Sequence, residues 1–128
     1  MFKSALLVAA SIVVGAGAVQ LLHAAENPPL YTVAEINVKD RAAYEKELPA
    51  VLKVIKEGGG EYLTGGFDKA KLDYGGPPVG NRYVIVRYDN ADAYNKTWNG
   101  GLKKWVDDIA EKNIAGFRLI SVEGAEAK

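Results

Sequence analysis

Gly58-Gly59-Gly60 constrain the fold of this 128-residue chain more than any other stretch. Glycine enters left-handed backbone conformations without steric penalty. Three in a row behind a helical pattern therefore predict a helix that closes and a strand that starts at once. Residues 56–66 read accordingly as helix end, reversal and edge strand. The junction divides the domain into two similar halves, each with one helix flanked by strands.

A short basic start, Met1-Phe2-Lys3, leads into residues 5–22, eighteen positions without a charge and rich in Ala, Val and Leu. This is the layout of a secretory signal peptide over 1–24, with cleavage after Ala24. An uncleaved anchor is the alternative: at ~1.5 Å per residue the run spans about 27 Å, against roughly 30 Å of bilayer core. Gly15 and Gly17 dilute the run and no polybasic flank follows it, which favours the signal peptide. The expected compartment is periplasmic or secreted, with no membrane attachment once 1–24 are removed.

Cleavage leaves 104 of the 128 residues, enough for one small domain. A domain of this size buries only about 60–68% of its unfolded surface, and with no cysteine no disulfide can compensate, so a homodimer is expected. Without Lys3 the chain carries 15 basic residues against 16 acidic ones, a balance that offers nothing to nucleic acid or anionic lipid.

Residues 25–29 end in Pro28-Pro29 and read as a linker; 30–124 form the domain and 125–128 a polar, mobile tail. Residues 31–38 alternate, with Thr32, Ala34, Ile36 and Val38 on a drier face and Tyr31, Val33, Glu35 and Asn37 on the other. Asp40 is placed to cap a helix whose apolar stripe is Tyr44, Leu48, Val51, Leu52 and Ile55, with a kink expected at Pro49. A short strand at 61–66 precedes a long loop at 67–78, which leaves room for an edge segment at 70–74. Residues 82–88 are the most strand-like run, with Tyr83, Ile85 and Arg87 opposite Val84, Val86 and Tyr88. Asn90 caps a second helix with the stripe Tyr94, Trp98, Leu102, Trp105 and Ile109, which Gly100-Gly101 splits in two; a last strand follows at 116–122. The order βαββαβ is the split plan of an α+β, ferredoxin-like sandwich with an antiparallel sheet and both helices on one face.

The strand at 31–38, the capping Asp40 with Tyr44, the Gly-Gly-X-Tyr-Leu-X-Gly-Gly turn at 59–66, the strand at 82–88 and the Trp98-Asn-Gly-Gly-Leu102 segment together resemble the DUF1330 family, over about residues 30–124. That resemblance implies membership of the dimeric α/β-barrel superfamily, in which two ferredoxin-like sheets face each other and enclose a cavity. The chain departs from the family pattern after Trp98, where Gly100-Gly101 replace a Ser-Pro-Glu-Tyr-like segment.

The chemistry is limited first by what is missing. His23 is the only histidine and lies in the expected signal peptide, so the domain lacks the usual ligands for zinc, copper or haem, and no cofactor is expected. Ser-His and Cys-His nucleophiles are excluded on the same ground, leaving carboxylates, tyrosines and lysines for acid–base work. No glycine cluster has the spacing of a phosphate cradle at a helix start. Packing the drier strand faces on the helices leaves Tyr31, Val33 and Glu35, with Tyr83, Ile85 and Arg87, toward a partner sheet. Such an apolar cleft suits a small, partly aromatic or oxygenated molecule, with Glu35 as base and Arg87 as anchor for an anionic oxygen. The competing interpretation is a structural Glu35–Arg87 pair across antiparallel strands. A protein that binds or slowly transforms a small organic molecule between two sheets is thus one reading, and an exported structural dimer with a filled cleft is another. An RNA-recognition module is disfavoured by the neutral charge and by the missing glycine after Arg82.

Overall fold

The computed structural model describes residues 27–124. The expected signal peptide at 1–24, the start of the linker and the tail at 125–128 lie outside the described residues. Four strands and an interrupted helical pair follow one another: β1 (Leu30–Val38), α1 (Arg41–Glu57), β2 (Glu61–Thr64), β3 (Arg82–Tyr88), α2 (Ala91–Thr97), a π-helical turn (Trp98–Leu102), α3 (Lys103–Glu111) and β4 (Ala115–Glu123). The sheet is antiparallel in the order β2-β3-β1-β4, so the two central strands are those with the clearest sequence alternation. This is an α+β, ferredoxin-like arrangement.

Both predicted caps form. The Asp40 carboxylate accepts from the Ala43 amide at 3.1 Å and the Asn90 side chain accepts from the Ala93 amide at 2.9 Å, each occupying one donor that a helix start leaves free. Helix α1 continues through Pro49 as one element, and Pro49 is solvent-exposed, so water can reach the carbonyl its ring leaves unbonded. No edge strand forms at 70–74; the loop meets the sheet through a single bridge from Phe67 to Arg82.

The glycine junction works differently from the expectation. Only Gly59 takes a left-handed conformation, at φ 85°, whereas Gly58 is needed for space: a Cβ there would lie 1.8 Å from Thr97 Oγ1. Gly60 is crowded likewise by Ile55 and Val86. The junction lets the end of α1 touch α2 and the sheet as much as it lets the chain turn.

The diglycine splits the second helix as expected, by widening one turn. The Lys103 amide donates to the Trp98 carbonyl, five residues back, and Gly101 adopts φ 146°, a backbone that only glycine takes without strain. The core lies between the sheet and the helices. Tyr44, Tyr88 and Ile109 are its largest fully buried side chains, and Phe67, Tyr44, Trp105 and Phe117 run through it in successive edge-to-face contacts with centroids 5.8–6.0 Å apart.

Candidate functional site

The sheet has two faces with different chemistry. Register sets Glu35 opposite Tyr83, Val33 opposite Ile85 and Tyr31 opposite Arg87, so all six residues singled out from the sequence share the face turned away from the helices. Strand β4 adds Arg118, Ile120 and Val122 beside Glu35, Val33 and Tyr31. An apolar band, Ile85, Val33 and Ile120, therefore crosses this open face, and on the edge strand β4 Ile120 and Val122 are 44% and 52% exposed.

Glu35 and Arg87 do not pair. The Glu35 carboxylate accepts from the Tyr83 hydroxyl and from the Gly80 amide at 3.3 Å, while Arg87 reaches Asp89 at 3.1 Å. Register decides the outcome: the residue directly across from Glu35 is a phenol, and the guanidinium lies two same-face rungs farther along. The Tyr83 hydroxyl, then the Gly80 amide and the nearby Arg118 charge, hold the Glu35 carboxyl below the usual carboxylate range. The same bond pushes the Tyr83 phenol up. A carboxylate stabilised in this way is a weak general base at neutral pH.

The segment that delivers the Gly80 amide is tied down by Asn81. Its side-chain amide both donates to the Val38 carbonyl and accepts from the Val38 amide, each at 2.8 Å, as another strand would. Gly80 then passes so close to β1 that a Cβ would sit 2.6 Å from the Ile36 carbonyl oxygen. A groove of about 540 Å³ opens beside this segment, between Glu35, Pro78, Val79 and Arg118.

The other face encloses a smaller, drier space. A cavity of about 50 Å³ lies between the sheet and the helices, walled by Thr32, Ala34, Tyr44, Tyr62, Trp105 and Phe117 among others. Burial pushes the Tyr62 phenol up to about 12, although the Arg82 guanidinium pulls it back, and Tyr44 is raised for the same reason. The indole Nε1 of Trp105 is buried without a hydrogen-bond partner among the described residues. Phenols with raised pKa values and an indole N–H are donors at neutral pH, so this cavity offers protons and hydrogen bonds and contains no base.

Beside it lies Arg82, which strand parity turns inward and which is only 5% exposed. Its guanidinium carbon stands 5.6 Å from the Tyr44 ring centroid and 5.1 Å from that of Phe67, and its Nε is buried without a partner. Among the described residues no carboxylate lies within ion-pair distance of it. Sequence reasoning singled out neither Arg82 nor Arg118. Alternation pointed to both, because Arg82 shares parity with Val84 and Val86, and Arg118 falls opposite Glu35 once β4 is paired with β1.

Comparison with known proteins reaches the fold. No family model matches the chain, and no curated protein matches it. Among solved structures, a protein of unknown function from Rhodopseudomonas palustris superposes with a TM-score of 0.59 at 13% identity, covering 88% of this chain and 94% of its own. SnoaB, a cofactor-independent oxygenase from Streptomyces nogalater, gives a TM-score of 0.52 at 13% identity over 78% of this chain and 96% of its own. A de novo designed protein, Foldit4, gives the same 0.52 at 9% identity over 76% of this chain and 99% of its own. A designed chain and a natural oxygenase are thus equally similar to this one, so the likeness carries architecture and no chemistry.

Proposed function

We propose that the protein is an exported, DUF1330-like homodimer that binds a small organic molecule in the cavity between sheet and helices. The observation that carries this reading is the aromatic cavity itself, apolar over most of its wall, lined by Trp105, whose Nε1 has no hydrogen-bond partner among the described residues, and lying beside Arg82, whose Nε likewise has none. Its volume limits the occupant. A dry cavity of about 150 Å³ takes benzene, so about 50 Å³ suits a body of a few carbon atoms. Binding is favoured over transformation because the polar groups at the cavity are donors, and Glu35, on the other face of the sheet, is held ionised.

In this reading the open face pairs with a second copy. Val33, Ile85, Ile120 and Val122 form its apolar part, while Tyr31, Arg87, Glu35, Tyr83 and Arg118 form its polar part. The groove between Glu35 and Arg118 supports a second reading, in which the ligand sits between the two sheets and meets both charges.

One native mass spectrum of the protein from its own cell fraction tests the proposal, since it reads chain mass, oligomer and bound molecule together. A dimer starting near residue 25 with a reproducible small adduct is expected, and a bare monomer would overturn the reading. Ala34→Val, which narrows the cavity, should remove the adduct, whereas Glu35→Gln should leave it in place. The reverse pattern would move the ligand to the groove between the sheets.

A further inference from the structure

The buried guanidinium of Arg82 has no carboxylate to offset its desolvation: the Tyr44 and Tyr62 hydroxyls are its hydrogen-bonding neighbours, and its Nε has no partner among the described residues. A cation withdrawn from water is retained at a cost unless it is paired, and two aromatic faces return only part of that cost. A second cation shares one of its rings. The Arg41 guanidinium lies 3.8 Å from the centroid of the same Phe67 ring, and only Arg41 has acidic neighbours, Glu45 at 3.9 Å and Asp68 at 3.7 Å.

Gly65 provides a way in. Its φ is not left-handed, so its conformation does not require glycine; what the missing side chain leaves is a notch. An ideal Cβ at this position would sit 3.6 Å from the Tyr62 ring and 3.8 Å from Arg82 Nη2, in ordinary contact with both. The notch therefore joins a terminal nitrogen of the unpaired guanidinium to a tyrosine that also walls the cavity.

We infer that Arg82 is an anion-recognition group, and that the ligand of this protein is a short aliphatic carboxylate whose charged end meets Arg82 beside Gly65 and whose apolar end enters the cavity against Trp105. This rests on the cavity being the ligand site and adds the class of molecule. Arginine presents a planar fork that matches a carboxylate, and the cavity volume excludes a ring.

Nuclear magnetic resonance of the ¹⁵N-labelled protein reads both orphan donors directly, through Arg82 Nε–H and Trp105 Nε1–H, during titration with propionate and separately with propionamide. Propionate should shift both signals saturably, with propionamide weaker by about tenfold or more, the margin of a charge-assisted contact. Arg82→Met should abolish that preference and raise the thermal midpoint, because it removes an unpaired buried charge at similar volume. Gly65→Ala should weaken propionate by about tenfold without altering the fold, since its Cβ fills the notch by van der Waals contact alone. It serves as the independent arm if Arg82→Met does not fold. Equal response to the two probes would overturn the assignment of Arg82 and leave the cavity as a ligand site. No response to either, with the native adduct still present, would overturn the carboxylate class. No response and no native adduct would overturn the cavity reading along with it. Arg82→Met that folds and keeps the preference would make Arg82 structural.

Discussion

Glu35 and Tyr83 stabilise each other in opposite protonation states, and this sets where their contact survives. Glu35 titrates below its ordinary value in the folded chain, so its contribution is fully present above the ordinary carboxylate value of about 4.3 and is lost as acid carries it through the lower folded pKa. Tyr83 is shifted upward, so its contribution is complete below the ordinary phenol value of about 10 and disappears as base carries it through the higher folded pKa. In Tyr83→Phe the Glu35 pKa should rise toward its ordinary value; a ¹³C titration of the side-chain carboxyl measures it, and an unchanged value would show that Tyr83 is not its main partner. A second single-residue effect is steric. Gly58→Ala places a methyl group where Thr97 Oγ1 already stands, 1.8 Å away, and should cost about 1–3 kcal/mol in denaturant unfolding. Thr97→Ala in the same chain should return part of that cost, because the two changes share one contact.

At the scale of elements, two helix positions make opposite predictions. Gly101→Ala forces a side chain into φ 146° and should destabilise by about 1–3 kcal/mol, seen as a lower thermal midpoint. Pro49→Ala restores an amide in the middle of the 17-residue α1 at an exposed position and should stabilise by about 1–3 kcal/mol; no gain would mean that water already compensates the missing bond. Elements were the most legible feature of the chain, since period-2 alternation and Asx caps are local signals. The faces of β1 and β3 could be read off directly, and residues 82–88 agree with β3 end to end. Register was not legible. It depends on the route of the chain between strands, and that route set Tyr83 across from Glu35 and moved Arg87 two rungs along. The burial of Arg82 was hidden for another reason: parity turned it inward, but the rings that receive it, Tyr44 and Phe67, come from α1 and from the loop after β2, and no local pattern joins them.

For the molecule as a whole, the open face is the main determinant of behaviour. Ile120 and Val122 remain about half exposed on the edge strand β4, on a sheet face with no helix over it. Ile120→Lys should therefore turn the proposed dimer into a monomer in size-exclusion chromatography with light scattering, while the circular dichroism of the sheet and helices is retained. A dimer that survives the change would place the contact elsewhere. Of the candidate site, the sequence yielded the open face and its residues, whereas the cavity on the opposite face became visible only when all four strands and the helices of both halves closed around it.

The widened turn at 98–102 also makes the chain sensitive to its own count. It accommodates one more residue than a regular helix would between α2 and α3, so loss of one glycine there would let the turn close to regular spacing, whereas gain of a further residue would change the phase of everything downstream. Each residue turns a helix by about 100°, and an extra residue inserted after Gly101 would swing Trp105 away from Tyr44 and Phe117 and take with it one wall of the cavity. A tryptophan emission spectrum shifted toward that of exposed indole would report the change. Length in this segment is thus a determinant of the proposed binding site in its own right, and an insertion there would reshape the pocket without altering any residue that lines it.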